Sequence, residues 1–313
     1  MNSPGAPTRP APAAAREGAG RRALVTGLGG FTGRYIADEL EAAGYRVYGT
    51  VMPGDASRRD VFAVDLCERG AVAALVEEVQ PDVVVHLAGI ASVAHSDVGQ
   101  IYNVNVVATR NLLEALAGAR HKATCVLLAS SANIYGNARV PLIDEQVAPA
   151  PANDYAVSKL AMEYMARLWM DRLPIVLARP FNYTGRGQSE HFLLPKIVGH
   201  FRRGARRIEL GNLAIARDFS DVRSVAHCYR HLLAAAPAGE ALNVCSGHTH
   251  SLGEVIEMMS EIAGYRIDVE VNPAFVRSND VLTLSGSNAK LVRTIGAVPE
   301  RPLYDTLRWM YSA

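Results

Sequence analysis

The sequence predicts an α/β fold, a Rossmann-type doubly wound parallel sheet carrying a smaller C-terminal α/β substrate lobe. Three observations predict it. From about residue 22 to 180, short β-branched runs alternate with Ala/Leu/Glu-rich stretches of helical period, the pattern of βαβ units. A glycine-rich turn joins the first run to the first helical stretch. Beyond about residue 181 the alternation loosens as Gly, Pro and Arg become frequent.

The elements follow in order. Arg22 to Thr26 reads as the first strand, Gly33 to Ala43 as the first helix, and Tyr45 to Thr50 as the second strand. A short third strand covers Val61 to Val64, a helix Glu68 to Val79, and a fourth strand Asp82 to Leu87, apolar in its middle as a strand buried on both faces should be. A helix near Tyr102 to Ala117 leads to the strand Thr124 to Ala129. A long helix beginning near Tyr155 leads to the strand Ile175 to Arg179. In the remainder, Leu194 to Arg203, Ser251 to Ala263 and Pro302 to Tyr311 read as helices, and Arg207 to Leu210 as a strand. The expected organisation is a disordered tail over 1–20, a dinucleotide-binding domain over 21–180, and a lobe over 181–313 with some chain returning to the sheet. In open α/β sheets, ligands lie at the carboxyl ends of the strands. The site is therefore expected in the cleft between domain and lobe.

Composition narrows the function. The chain has 313 residues, 49% hydrophobic and 20% charged, enough for a large core without a metal or disulfide staple. Lys+Arg 32 against Asp+Glu 31 leaves a net charge of +1, which argues against nucleic-acid binding by phosphate neutralisation. Cys67, Cys125, Cys228 and Cys245 form no CxxC pair and read as buried thiols, which suits a reducing cytoplasm. No run of about 18 apolar residues signals a membrane span, and the tail lacks the apolar core of a signal peptide. The histidines, His95 included, show no metal-ligand spacing, so no metal is expected.

The chemistry-bearing residues fall in three groups. Thr26-Gly-Leu-Gly-Gly-Phe-Thr-Gly33 places glycines at 27, 30 and 33 between strand and helix, where they permit a tight turn and a close approach of pyrophosphate to the helix N-terminus. Phe31 and Thr32 lie within this turn. The second strand ends in Gly49-Thr50-Val51-Met52, with no acid to hold a ribose 2′-hydroxyl, while Arg34, Arg58 and Arg59 are available to a 2′-phosphate. NADP(H) is favoured and NAD(H) is also admitted. Arg34 reads equally as an exposed helix residue, and Asp55 as an acid that could swing in. Asp65-Leu66 are placed to meet the adenine, and Asp65 reads equally as a helix cap. Finally, Tyr155 and Lys159 stand four apart on one helix face, and Ser130-Ser131 end a strand whose hydroxyls reach the same cleft. A cation beside the phenol is expected to lower its pKa, allowing proton exchange with a carbonyl or alcohol.

Taken together, these residues resemble the extended short-chain dehydrogenases/reductases, in the nucleotide-sugar branch, from Ala23 to about Leu307. The resemblance implies that His86-Leu87-Ala88-Gly89 and Asn105 line the cofactor, that Ser131 is the active-site hydroxyl, and that Tyr155 and Lys159 are the catalytic pair. Arg179-Pro-Phe-Asn182, Gly211-Asn-Leu213, Arg217-Asp-Phe-Ser-Asp-Val222 and Asn243-Val-Cys-Ser-Gly247 resemble most the GDP-4-keto-6-deoxy-D-mannose reductases. That implies diphosphate contacts from Asn182, Arg217 and Arg277, although Arg277-Ser-Asn-Asp280 departs from the family's Arg-Pro-x-Glu. Ser130 and His191 join the expected substrate residues. The related dehydratases place a Glu two residues before the Tyr-Gly pair and the GDP-fucose-type enzymes a Cys; this chain has Asn133. Its His191 lies roughly where the latter carry a His. Simple hydride transfer is then the economical reading: NADPH-dependent reduction of a GDP-linked 4-keto-6-deoxy sugar in surface-polysaccharide biosynthesis, with a 4-epimerase or 4,6-dehydratase as the alternative. The resemblance also implies a homodimer.

Overall fold

The computed structural model describes residues 16–54, 60–91, 97–275 and 283–313. Its centre is a sheet of seven parallel strands. These are β1 (Arg22–Thr26), β2 (Arg46–Val51), β3 (Val61–Ala63), β4 (Val83–His86), β5 (Cys125–Ala129), β6 (Ile175–Pro180) and a late strand, Ala241–Val244, numbered β10 below. They run in the order β10-β6-β5-β4-β1-β2-β3, so the chain winds outward from β1 in one direction and then, after β3, in the other. The reversal leaves a crevice at the carboxyl ends of β1 and β4, which pair from Ala23 with Val83 to Thr26 with His86.

The inner strands are mostly apolar because each of their faces is covered. Odd-numbered β1 and β4 residues such as Val25 and Val85 pack with Ile36 and Leu40 of α1 (Phe31–Ala42). Leu24 and Val84 point to the opposite face, against Leu75 and Val76 of α2 (Arg69–Val79) and Leu112 and Leu116 of α4 (Thr109–Gly118). The stretch expected as one helix from Tyr102 to Ala117 starts earlier, as α3 (Val98–Tyr102), and passes through a widened π turn, Asn103–Ala108, before α4. Asn105 and Ala108 are buried in that turn. Next, α5 (Asp154–Arg167) leads into β6.

The lobe contains β7 (Asn182–Thr184), α6 (Leu193–Arg202), β8 (Arg207–Leu210), β9 (Ala216–Asp221), α7 (Val222–Ala235), β11 (Thr249–Ser251), α8 (Leu252–Ala263), β12 (Asp268–Val271), β13 (Thr283–Leu284), α9 (Ala289–Ile295) and α10 (Leu303–Tyr311). Its own core joins Leu194, Ile197 and Phe201 to Val255, Met259 and Leu307. Of the elements the sequence did not anticipate, two belong to the main sheet. α7, capped by Asp221, packs Val225, Tyr229 and Leu232 onto the same sheet face as α1, and β10 follows it to pair with β6. The chain thus goes back to the sheet after a forty-residue excursion through β7–β9 (182–221). Three cysteines, Cys125, Cys228 and Cys245, are buried, and burial pushes Cys125 and Cys228 up to about 12.

His86, at the end of β4, is neutral and structural. Thr109 Oγ1 donates to the Asn105 carbonyl and so accepts from His86 Nε2 at 2.8 Å; Nδ1 then accepts from Thr26 Oγ1 at 2.7 Å. Burial, and secondarily Lys159, lower its pKa to about 3. The stability it contributes is fully present above its ordinary value of 6.5 and is lost as pH falls toward 3, at about 1.4 kcal/mol per pH unit. Urea unfolding should therefore show wild type losing about 2 kcal/mol of its advantage over His86→Gln between pH 7 and 5. A pH-independent difference contradicts the assignment.

Candidate active site

The turn after β1 is built to leave a helix end open. Gly27 sits at φ +71°, and a Cβ there would lie 2.9 Å from the Ala88 backbone nitrogen. A Cβ on Gly33 would meet the Leu28 carbonyl at 2.5 Å, so the first turn of α1 lies directly on the loop. The loop is tied to β2: Leu28 N–H donates to the Thr50 carbonyl at 2.9 Å and Gly27 N–H to Thr50 Oγ1 at 3.3 Å. Gly30 occupies the cap position of α1, with no side-chain cap and no acid in the first turn. By contrast, Asn153, Asp221 and Ser251 cap α5, α7 and α8 through their side chains. The open N–H groups and the missing Cβ atoms form a cradle that fits a pyrophosphate. Gly89 adds to it: a Cβ there would fall 2.9 Å from Asn105 Oδ1 and 3.3 Å from Lys159 Nζ.

The other expected cofactor residues divide. Asn105 clamps the backbone beyond β4, accepting from Ile90 N–H at 2.8 Å and donating to the Ile90 carbonyl and to Ser158 Oγ. Leu87 and Ala88 N–H groups donate to the Thr26 carbonyl and Oγ1. Leu66 is buried, its carbonyl accepting from Asn111, while Asp65 Oδ1 accepts from Cys67 N–H in a local turn before α2. Thr50, at the end of β2, is buried, and its Oγ1 accepts from Gly27 N–H. Arg34, read equally as an exposed helix residue, is exposed on α1, and its guanidinium donates to the Gly187 carbonyl at 3.1 Å. Phe31 stacks on Tyr183, 6.0 Å between centroids, and Thr32 Oγ1 lies 2.9 Å from the Tyr183 hydroxyl. Asp55, Arg58 and Arg59 lie outside the described residues.

Ser131, Tyr155 and Lys159 are brought together. Ser131 leaves β5 in extended conformation and caps a short 3-10 turn, Ala132–Tyr135, accepting from Asn133 N–H at 3.1 Å. Its hydroxyl hydrogen-bonds the Tyr155 phenolic oxygen. Tyr155 stands in the first turn of α5, and Lys159, one turn on, donates to the Ala129 carbonyl at 2.8 Å. The expectation that Lys159 acidifies the phenol is overturned. Burial pushes Tyr155 up to about 12, outweighing the Ser131 bond, and draws Lys159 down to about 8 against the pull of Glu163. At neutral pH the phenol keeps its proton and the amine its charge.

On the lobe side, Asn182 is exposed on β7, opposite Phe219 of β9, and its Nδ2 donates to the Asp218 carbonyl at 3.4 Å. Arg217 lies two residues before Phe219, hence on the same face of β9, between β11 and β13. His191 is exposed just before α6. Arg277 lies outside the described residues. Ser130 is a correction to the expected substrate contact: it is 3% exposed and its Oγ donates to Glu163 Oε1 at 2.5 Å, away from the cleft. No group of three or more His, Cys, Asp or Glu suited to a metal occurs among the described residues.

The GDP-mannose 4,6 dehydratase family profile matches residues 24–310. The chain belongs to that family. It is an NAD(P)-dependent nucleotide-sugar oxidoreductase of the extended short-chain dehydrogenase/reductase type. Among curated relatives, it is 35% identical over 304 residues to GDP-6-deoxy-D-mannose reductase of Pseudomonas aeruginosa, covering 93% of this chain and 96% of the relative. It is 32% identical to GDP-6-deoxy-D-talose 4-dehydrogenase of Aggregatibacter actinomycetemcomitans, covering 87% and 90%. Among solved structures, one from Burkholderia cenocepacia described as a candidate epimerase superposes with TM-score 0.90 at 57% identity, covering 94% of this chain and 98% of that one. RMD from Pseudomonas aeruginosa complexed with NADPH superposes with TM-score 0.81 at 32% identity, covering 93% and 98%.

The sequence did not reveal the contacts of Tyr183, nor the hydrogen-bonded set that joins Tyr135 and the motif residues Arg179 and Asn243 to Glu163. Glu163 carried a signal, since it stands four residues after Lys159 on the same face of α5. Two outcomes are expected. Tyr155→Phe removes the phenolic proton beside Ser131 and should cut turnover by at least about a thousandfold while leaving dinucleotide affinity within about twofold, read by steady-state kinetics and calorimetry. Because Lys159 loses its charge near pH 8, carbonyl reduction should hold at neutral pH and fall as pH rises through about 8. A rate that climbs across that range contradicts the role.

Proposed function

We propose that this chain reduces the 4-keto group of a GDP-linked 4-keto-6-deoxy hexose with NADPH, giving GDP-D-rhamnose or a close relative for surface-polysaccharide biosynthesis. The observation that carries this reading is the protonated, buried Tyr155 oriented by Ser131, in a site where the residue two before Tyr135-Gly136 is Asn133 and not a carboxylate or thiolate base. A buried phenol with a pKa near 12 is poor at removing a proton from carbon but well suited to giving one to an oxygen that becomes an alkoxide. Bound NADPH supplies the hydride. Tyr155 gives its proton to the sugar O4, Ser131 donates a hydrogen bond to the same oxygen, and Lys159 holds positive charge beside them, favouring the developing anion. Asn182 on β7 and Arg217, on the same face of β9 two residues before Asn182's partner Phe219, are the proposed diphosphate contacts, Arg217 through a charge-assisted fork. His191 and Arg277 complete the proposed substrate set.

The cofactor preference rests on Thr50 in place of an acid at the end of β2, and on the NADPH held by the Pseudomonas relative. NAD(H) is the secondary cofactor. The proposed assembly is a homodimer through α5 and the adjoining turn, where Val107, Val157, Tyr164 and Leu168 are exposed large apolar residues, the last three on one face of α5. The four free cysteines suit action in a reducing cytoplasm.

The Burkholderia structure described as a candidate epimerase keeps a second reading in play, a 4-epimerase that regenerates its own NAD(P). One assay separates them. Purified protein mixed with NADPH and GDP-4-keto-6-deoxy-D-mannose should consume NADPH steadily, one equivalent per sugar reduced, with GDP-sugar alcohol as product by mass spectrometry. Interconversion of 4-epimers without NADPH loss would establish the alternative.

A further inference from the structure

We propose that Glu163 is a positioning residue whose buried carboxylate clamps the turn that presents Ser131 to Tyr155. The inference rests on the reading of Ser131 and Tyr155 as the proton-handling pair.

The clamp grips the turn at both ends. Ser130, immediately before Ser131, donates its hydroxyl to Glu163 Oε1 at 2.5 Å. Arg179 of β6 spans the same carboxylate, Nε to Oε1 at 2.9 Å and Nη2 to Oε2 at 2.7 Å. Its remaining arm, Nη1, donates at 2.8 Å to the hydroxyl of Tyr135, the last residue of the turn. Tyr135 in turn donates to Asn243 Oδ1 at 2.8 Å, and Asn243 closes the chain by donating to the Ile143 carbonyl and, through its backbone, to Glu145 Oε1. Glu163 and Arg179 are 1% and 4% exposed, and Tyr135 and Asn243 are fully buried. Every buried polar side-chain atom among the described residues has a partner.

The carboxylate lies one helical turn beyond Lys159 and two beyond Tyr155 on α5. One group therefore ties the helix that carries the phenol and the amine to the two flanks of the residue that orients the phenol. Stability alone does not account for this arrangement, because a buried ion pair is often matched or bettered by apolar residues of equal volume. What an apolar replacement would lose is direction: two oxygens fixing a hydroxyl just past β5 and a planar fork on β6 at once. Glu163 also counters the desolvation of Lys159, keeping positive charge at the site.

The test uses the two peripheral links, Ser130→Ala and Tyr135→Phe, which leave the Glu163–Arg179 pair intact so that the fold survives. Each should lower kcat at least about tenfold with KM for sugar and NADPH within about twofold, since a displacement near 1 Å at a reacting group costs on this scale. A second readout needs no substrate: in protein labelled with 13C at tyrosine Cζ, the Tyr155 resonance, assigned by its loss in Tyr155→Phe, should shift in both variants. A kcat within twofold of wild type in both, or an unmoved Tyr155 resonance, overturns the proposal. If the wild type reduces no ketosugar, the functional reading falls, and the resonance alone still decides the clamp.

Discussion

The hydrogen bond between Ser131 and Tyr155 depends on two segments leaving the sheet at the same height. Ser131 stands two residues past β5, whereas Tyr155 stands at the start of the helix that crosses back to β6, and parallel pairing of β5 with β6 sets the distance between them. Lys159 reinforces the junction by donating to the Ala129 carbonyl at the end of β5. The site is thus an outcome of the βαβ topology, with the helix start placed where the strand stops. Nothing in the lobe is needed to assemble this pair.

Burial then sets the protonation states. Tyr155, Lys159 and His86 all lie close together, and in each case loss of solvent is the largest influence, raising the phenol and lowering both bases. The consequence is a site with a neutral imidazole behind it, a protonated phenol in it and an ammonium beside that phenol. Such a set favours proton delivery to an oxygen that gains negative charge. It is a poor set for removing a proton from carbon, where a carboxylate would be needed at position 133.

Much of this was legible in the sequence. Gly27 and Gly33 are dictated by backbone contacts with Ala88 and Leu28 that no Cβ could share, and Gly30 by a tighter-than-usual approach to the Gly27 carbonyl, so glycine spacing carried the turn. Tyr155 and Lys159 followed from helical period. What escaped was set by direction in three dimensions. Ser130 and Ser131 are chemically identical neighbours, and strand alternation sends one hydroxyl under the sheet end to Glu163 and the other to Tyr155. Arg34 sits on the expected helix but reaches across to Gly187, a contact between segments more than 150 residues apart. Helix α7 and strand β10 escaped because the 217–222 segment reads as a binding motif, and a four-residue strand carries little signal of its own.

The lobe meets the cofactor cradle through the first turns of α1. Phe31, Thr32, Arg34 and Tyr35 each touch the 183–187 segment, which is itself held by Trp309 of α10 through Arg186. The glycine-rich cradle and the β7 segment proposed to meet the diphosphate therefore share one framework. The most direct measurement of the central claim is isotope transfer: with NADPH deuterated at nicotinamide C4 on the transferred face, the GDP-sugar product should carry one deuterium at its own C4. A 4-epimer formed without that deuterium would contradict the account.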